Sequence, residues 1–235
     1  MGRRHGPGRA PSGLNAGRVT GGRVGGGGLR VIRQPTTTWE IAVRPLIAIE
    51  FLSLDGVMQS LGSPTEDTEG GFRHGGWSAP YGDQVLGEWA AKGMETVDAY
   101  LFGRRTYEKM VAFWPTQPDE NPMAAHLNRL PKYVASRSHP TLEWKGAVLL
   151  DGDAIEAVRA LKDSPGGTIT ILGSGVLVRS LLDAGLIDEL HLFVHPLVIG
   201  SGKRLFGESP DMRPLRLLDT QTTTTGVILT RYAVD

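Results

Sequence analysis

Two adjacent arginines, Arg104 and Arg105, follow a short apolar stretch that ends at Gly103. The apolar stretch predicts a buried strand, and the residues from Thr106 onward have helical spacing. Where a parallel strand leads into a helix, free backbone N–H groups and the positive end of the helix dipole attract anions. Two guanidinium groups at such a place suit a phosphate monoester, which accepts forked hydrogen bonds. The pair therefore predicts a dianion site, for a group such as the 2′-phosphate of NADPH.

Two further loops carry residue types that could bind the same ligand. Ser136 and Arg137 follow another apolar stretch and would supply a hydroxyl group and a cation. In "LGSGVL", Gly173 and Gly175 would let a pyrophosphate approach bare backbone. This segment lacks the third glycine of the Rossmann fingerprint and the acidic residue about 20 positions later. A standard NAD-binding Rossmann domain is therefore disfavoured.

Two carboxylates are candidates for catalysis. Asp55 stands in an Asp-Gly turn after the first predicted strand, where it could orient a substrate amine or relay a proton. Asp83 precedes a predicted helix and is the second candidate. The structural alternatives are that Asp55 only makes the turn and that Asp83 is a helix N-cap. Trp77, in a glycine-rich loop, could stack on a heteroaromatic substrate.

Metal and nucleophile chemistry find little support in the sequence. His191 and His195 would lie about 13 Å apart on one strand, too far to share an ion, so we expect a half-exposed strand face and no metal site. The chain has no Cys, which excludes disulfides, thiolate nucleophiles and Cys-ligated zinc. Ser174 lies in G-S-G instead of the hydrolase motif G-x-S-x-G. A hydrolase is disfavoured.

The elements that must position these residues follow from hydrophobic periodicity. From about residue 45 the pattern predicts a first strand in "PLIAIEFLSLDG" that ends at Asp55-Gly56. It also predicts strands near 98–102, 132–136 and 147–150, and helices near 83–95, 106–113 and 153–162. The segment "TITILGSGVLVRSLLDAGLIDELHLFVHPLVIG" predicts strand, glycine loop, helix and strand, and the C-terminal residues predict a hairpin that turns at Gly226. The prediction is an α/β fold with a mostly parallel central sheet and an antiparallel C-terminal hairpin. The long loop before the first helix should lie beside the site.

Charge is distributed unevenly along the chain. Residues 1–44 carry eight Arg, no Lys and one acid, which leaves 17 basic and 24 acidic residues for the remainder. The Gly/Arg-rich start is poor in apolar side chains, so we predict a disordered tail over 1–43 and a folded domain over 44–235. The acidic domain argues against a nucleic-acid partner. No run of about 18 apolar residues occurs, so no membrane association and a cytoplasmic location are expected.

Five segments in fixed order resemble a known family: "SLDGVMQ", "DAYLFGRRTYEKM", "LPKYVASR", "ILGSGVLVRSLL" and "IDELHLFVHPLVIGSGKRLF". They are similar to the dihydrofolate-reductase-like superfamily, and most of all to the C-terminal reductase domain of bacterial bifunctional riboflavin-biosynthesis deaminase-reductases and its stand-alone relatives. The resemblance covers roughly residues 45–233 and implies a three-layer dihydrofolate-reductase-like fold. It also implies NADPH-dependent reduction of a pteridine or a ribosylaminopyrimidine such as 5-amino-6-(5-phosphoribosylamino)uracil.

The resemblance also implies roles for individual residues. Gly103, Arg104, Arg105 and Thr106 would hold the adenosine phosphate, and Ser136 and Arg137 would flank the adenine ribose. The pyrophosphate would be cradled by five consecutive residues, namely Gly173, Ser174, Gly175, Val176 and Leu177.

Two departures from the family pattern leave the substrate open. The riboflavin reductases have an acidic, substrate-contacting residue directly before the glycine pair, where this chain has Leu172. The zinc deaminase domain of the bifunctional enzymes is not expected in a sequence without Cys. A dihydrofolate reductase proper and a non-catalytic nucleotide-binding protein therefore stay as alternatives. A homodimer is expected from the resemblance and from the apolar C-terminal strands, whose edges need cover.

Overall fold

The computed structural model describes residues 43–207 and 212–235. The predicted N-terminal tail, residues 1–43, lies outside the described residues except for Val43. The described residues form eight strands and five α-helices, and the helices follow or separate most of the strands in the first three quarters of the chain. The strands are β1 (Leu46–Ser53), β2 (Val97–Gly103), β3 (Lys132–Ala135), β4 (Ala147–Leu149), β5 (Thr168–Leu172), β6 (Glu189–His195), β7 (Leu215–Thr222) and β8 (Ile228–Val234). The α-helices are α1 (Gln84–Met94), α2 (Arg104–Phe113), α3 (Pro122–Arg129), α4 (Ala154–Lys162) and α5 (Gly175–Asp183).

All eight strands form one sheet in the order β4-β3-β2-β5-β1-β6-β8-β7. The first six of these strands run parallel, whereas β8 is antiparallel to both β6 and β7. The hairpin of β7 and β8 turns next to Gly226, whose φ of +85° is a backbone conformation that glycine adopts without strain. The predicted mostly parallel α/β sheet with an antiparallel C-terminal hairpin is therefore confirmed.

Helices cover both faces of the sheet and make the fold three-layered. On one face, α4 and α5 bury Val158, Leu161 and Val178 against alternate residues of the central strands. On the other face, α2 and α3 pack around Tyr107 and Leu127, and α1 packs over the β6 and β8 side. This double cover explains why the parallel strands are apolar on both faces.

Three local features differ from the sequence-based expectation. Helix α3 was not predicted, although Asn121 caps it and Pro122 occupies its first turn, both common start signals. Helix α2 begins at Arg104, two residues early, because Gly103 serves as its N-cap. His191 and His195 are buried instead of half-exposed, with 7% and 1% of their surface accessible, because helix and loop residues cover β6.

No helix within the described ranges combines the length and the apolar character that crossing a bilayer requires.

Candidate functional site

A cleft of about 1960 Å³ opens along the C-terminal edge of the parallel strands. This volume exceeds the roughly 300–1,000 Å³ of a site for one small ligand. All three loops that the sequence singled out line it, because β3, β2 and β5 are adjacent parallel strands whose C-terminal ends share one edge. The structure thus brings together the predicted cofactor-binding residues, which are Gly103, Arg104, Arg105, Thr106, Ser136, Arg137, Gly173, Ser174, Gly175, Val176 and Leu177.

Arg104 and Arg105 occupy the first turn of α2, and their side chains are largely exposed. Arg104 pairs with Glu108 one turn later at 2.9 Å, and Arg105 pairs with Glu69 at 2.6 Å. Exposed ion pairs of this kind are weak and exchange readily. Both guanidinium groups can therefore leave their carboxylates for a phosphate.

The loop between β5 and α5 has an unusual backbone. Gly173 and Ser174 both adopt positive φ, 62° and 65°, and such a value is uncommon for a serine. The Ser174 Oγ atom accepts a hydrogen bond of 3.0 Å from the N–H of Gly103. A Cβ atom at Gly175 would lie 2.3 Å from the sulfur of Met58, so a larger residue there would have to displace the Met58 side chain. Close packing thus fixes a backbone loop at the N-terminus of α5, a position suited to an anion.

The third loop is held by a local serine pair. The Ser136 Oγ atom accepts a hydrogen bond of 3.1 Å from the N–H of Ser138 and lies 3.1 Å from the Ser138 hydroxyl. Arg137 lies beside it on the wall of the cleft. This loop therefore offers hydroxyl groups and a cation at the outer end of the row of three loops.

The long loop after β1 also lines the cleft, as expected for a connection of this length. Its residue Asp67 pairs with Lys203 at 2.8 Å and with Lys109 of α2 at 3.1 Å. Its residue Glu69 pairs with Lys203 at 2.6 Å as well as with Arg105. These ion pairs, which we call the acidic strap, tie the loop to α2 at the arginine end of the cleft.

Asp55 does not line the cleft, so the structure corrects its assignment as a catalytic and substrate-binding residue. Its Oδ1 atom accepts hydrogen bonds from the N–H of Ile199 at 3.0 Å and the hydroxyl of Ser53 at 2.7 Å. Its Oδ2 atom accepts from the N–H of Gly200 at 2.9 Å and from Arg204 at 3.2 Å. These donors hold the pKa of Asp55 well below its usual range. A carboxylate that is ionised at neutral pH and whose two oxygens are both occupied by hydrogen-bond donors holds loops together and is poorly suited to relay a proton.

Asp83 and Trp77, two further predicted site residues, also have structural roles. Asp83 lines the cleft but is the N-cap of α1, with Oδ1 2.8 Å from the N–H of Leu86. Its Oδ2 atom accepts from the N–H and hydroxyl of Thr224, so both oxygens are occupied and its pKa is lowered, chiefly by the Leu86 bond. Trp77 lies away from the cleft, 8% exposed, and donates its indole N–H to the carbonyl of Gln59 at 2.8 Å. It packs in the core and is not free to stack on a ligand.

Leu172 does line the cleft, together with neighbours on the same sheet face. The strand register aligns Leu172 with Ile49 and Ile49 with His191, and parallel partners point to one side. Burial lowers the pKa of His191, which lies 2.8 Å from Glu189. With Trp89 of α1, these side chains form an apolar lobe of the cleft that suits a flat heterocycle.

Glu50 is a site residue that sequence reasoning missed. It lies in the middle of β1, lines the cleft, and has only 1% of its surface exposed. Its Oε1 atom has no hydrogen-bond partner among the described residues. Burial raises its pKa to about 8, although the positive charge of Arg179 acts in the opposite direction. The sequence did contain a signal for Glu50, because a glutamate stands between apolar residues of a predicted strand. Both faces of a parallel sheet are covered, so a glutamate in such a strand is buried.

Within residues 43–207 and 212–235, no three His, Asp or Glu side chains are grouped closely enough to hold a metal ion.

Comparison with known proteins identifies related chains. The RibD C-terminal domain family matches residues 44–229. The Bacillus subtilis (strain 168) protein YyaP is 29% identical over 142 residues, which are 59% of this chain and 75% of YyaP.

Two solved structures share the fold. A candidate riboflavin biosynthesis protein from Shewanella sp. PV-4 gives a TM-score of 0.62 at 20% identity, over 81% of this chain and 99% of the other. A pyrimidine reductase-like protein from Corynebacterium diphtheriae NCTC gives 0.54 at 18% identity, over 83% of this chain and 93% of the other. The resemblance inferred from the sequence motifs and the dihydrofolate-reductase-like fold class are confirmed.

Proposed function

This chain belongs to the RibD C-terminal domain family, a family of reductase domains, and from that premise we propose that it is an NADPH-dependent reductase. The substrate we propose is a pteridine or a ribosylaminopyrimidine-type heterocycle.

One observation carries the proposal. Three loops with phosphate- and ribose-binding residue types follow three adjacent strands, β3, β2 and β5, and open into one cleft. Neighbouring strands in a sheet are about 4.8 Å apart, so the three loops form an extended row of the kind that a dinucleotide needs. A binder of a single small anion would have no use for three such loops in series.

The residues present fit the cofactor. Arg104 and Arg105 would bind the 2′-phosphate, and Ser136 with Arg137 would flank the adenine ribose. Gly173 to Leu177 would cradle the pyrophosphate, because Gly175 leaves no side chain in the way and the N-terminus of α5 faces the anion. When bound, NADPH supplies a hydride, and the protein contributes position and polarity.

The substrate would lie in the apolar lobe formed by Ile49, Leu172, His191 and Trp89. Because Leu172 carries no charge, an acidic substrate contact at this position is replaced by an apolar one. This favours a flat, weakly polar ring in contact with Leu172.

Enzymatic assay tests the proposal directly. We expect the full chain to oxidise NADPH in the presence of a panel of dihydropteridines, pteridines and ribosylaminopyrimidines, with NADH much less effective. Binding of NADPH without turnover of any substrate would instead favour the non-catalytic nucleotide-binding protein.

We also propose a homodimer that covers the C-terminal hairpin. Strand β7 is the edge of the sheet, and it exposes Leu217 by 52% and Leu218 by 41%. Binding of a second copy of the chain would bury this exposed apolar edge strand, and twofold-symmetric dimers are the commonest oligomers. Light scattering at micromolar concentration should give the mass of two chains, and a one-chain mass would refute the dimer.

A further inference from the structure

His191 binds Glu189 through one ring nitrogen and leaves the other nitrogen without a partner. The Nε2 atom lies 2.8 Å from Oε2 of Glu189, two residues earlier on β6, and Arg231 of β8 binds the same oxygen at 3.0 Å. No described residue makes a hydrogen bond with the Nδ1 atom. Among the described residues only Oε1 of Glu50 is both unpartnered and sealed from solvent, so Nδ1 of His191 keeps contact with solvent. Since His191 lines the cleft, Nδ1 is open to a ligand in the apolar lobe.

The charges around His191 decide which of its nitrogens carries the proton. Burial acts to raise the pKa of Glu189, but the hydrogen bonds from His191 and Arg231 outweigh it and lower this pKa, so the carboxylate is ionised and can only accept. Burial lowers the pKa of His191, and the charge of Arg231 acts in the same direction, while Glu189 opposes both. Trp89 of α1 and Ile49 of β1 carry no charge. The ring is therefore neutral at pH 7, with its proton on Nε2 and a lone pair on Nδ1.

Nδ1 is the free hydrogen-bond acceptor that the side chains of the apolar lobe offer. Ile49 and Leu172 are apolar, and the indole group of Trp89 can only donate. Asp83 also lines the cleft, but both of its oxygens are occupied. In a largely apolar pocket, a few polar groups fix the orientation of the ligand. A single acceptor at this position favours a flat ring that carries an N–H group.

We propose that His191 selects and orients the substrate by accepting a hydrogen bond at Nδ1 from an N–H group of the heterocycle. This inference rests on the proposed reductase function and narrows its substrate to rings with a free lactam or amino N–H at the edge that enters the lobe. Glu189 is a positioning residue, because its ionised carboxylate keeps the proton on Nε2 and leaves Nδ1 free. A fully N-substituted ring would leave Nδ1 unpaired in a buried setting, which costs binding free energy.

Two matched probes test this inference by binding alone. Pteridine-2,4-dione has ring N–H groups, whereas its 1,3-dimethyl analogue has none. NADP⁺ is present in the titration so that no hydride is transferred. Loss of one neutral hydrogen bond corresponds to about a two- to tenfold change in Kd, so we expect the full chain to prefer the parent dione by about that factor in calorimetry.

Two variants of His191 separate the hydrogen bond from a steric effect of the methyl groups. His191→Asn places an amide oxygen where Nδ1 lies, so it should keep most of the preference. His191→Gln keeps a donor toward Glu189 but has no acceptor at the Nδ1 position, so it should bind both probes alike. His74→Gln, the same exchange at an exposed histidine outside the cleft, is the matched control and should behave like the wild type. The affinity for NADP⁺ should change less than about threefold in all three variants.

Nitrogen NMR of the histidine rings gives a readout that is independent of affinity. We expect the Nε2–H form of His191 in the wild type, a shift of the Nδ1 resonance when pteridine-2,4-dione binds, and a mixture of tautomers in Glu189→Gln. Equal affinity of the wild type for the two probes, no binding of the parent dione, or a preference that persists in His191→Gln would refute the role of His191 and leave the reductase to its own assay. A preference that depends on His191 in a chain that oxidises no NADPH would support the binding role and overturn the reductase.

Discussion

The hydroxyl oxygen of Ser174 accepts a hydrogen bond of 3.0 Å from the backbone N–H of Gly103. Gly103 ends β2 and is the N-cap of α2, whereas Ser174 precedes α5. One side chain therefore connects the arginine turn with the glycine loop. The connection fixes the distance between two loops that we propose bind different phosphates of one ligand.

Two substitutions at Ser174 should distinguish the contribution of this hydrogen bond from the cost of the positive φ angle. Ser174→Ala loses the hydrogen bond and keeps a side chain at positive φ, so we expect a loss of about 1 kcal/mol in the free energy of unfolding and weaker NADPH binding. Ser174→Gly also loses the bond but relieves strain of about 1 kcal/mol, so its stability should stay near wild type. Urea unfolding and NADPH titration of both variants measure the two effects. Equal NADPH affinity in all three proteins would argue against a role for the Gly103 bond.

Asp55 should behave as a structural carboxylate. Asp55→Ala leaves the N–H groups of Ile199 and Gly200 without an acceptor, and we expect a loss of about 2 to 4 kcal/mol at neutral pH. Because the pKa of Asp55 is lowered in the folded state, its contribution is present above the unfolded pKa and is lost as the pH falls below about 4. Unfolding at several pH values measures this, with Asp219→Ala on the exposed strand β7 as control. A constant difference between wild type and Asp55→Ala from neutral to acidic pH would contradict this account.

Glu50 should give the opposite pH dependence. Its pKa is raised from 4.5 to about 8 in the folded protein, so the wild type loses stability as the pH rises through this window. Glu50→Gln cannot ionise, and its melting temperature relative to wild type should therefore increase between about pH 5 and pH 8 and then level off. Thermal scans at a series of pH values measure this difference. A flat difference would mean that Glu50 is ionised, or solvated, in the folded state.

Glu69 should compete with the cofactor for Arg105. The Glu69 carboxylate lies 2.6 Å from the Arg105 guanidinium, where we propose that a phosphate binds. Glu69→Gln removes the competing charge, so NADPH should bind about two- to fivefold more tightly, with NADH unchanged. Titration of both cofactors at low salt checks this. Weaker NADPH binding in Glu69→Gln would show that the acidic strap supports the site.

Local patterns in the sequence predicted most of the fold and the three loops of the cleft. Each loop combines an apolar strand with Gly, Ser or Arg directly after it, so Arg104, Ser136 and Gly173 could be found without knowledge of distant contacts. That the loops meet could also be predicted, because parallel strands place their C-terminal ends at one edge. The order of strands in the sheet depends on long-range packing and could not be predicted from these patterns.

The failures concern the direction of side chains. Asp55 and the three loops all follow strands, but after β1 the chain turns back and Asp55 is bound by the loop at Ile199. Trp77 lies in a glycine-rich loop that folds inward around Phe72 and Val57, which no local pattern reveals. Glu50 alternates with Ile49 and Phe51 and looks solvent-facing, although α5 and its neighbours cover that side of the sheet.

The most direct test of the central claim is a titration of NADPH and NADH against wild type and the double variant Arg104→Ala/Arg105→Ala. Charge-assisted contacts to the 2′-phosphate are worth roughly 1.5 to 3 kcal/mol each, and NADH has no such phosphate. A combined loss of about 3 to 5 kcal/mol should weaken NADPH binding by about two to four orders of magnitude and leave NADH binding nearly unchanged. Equal losses for both cofactors, or no loss for either, would contradict the assignment of the arginine pair to the cofactor phosphate.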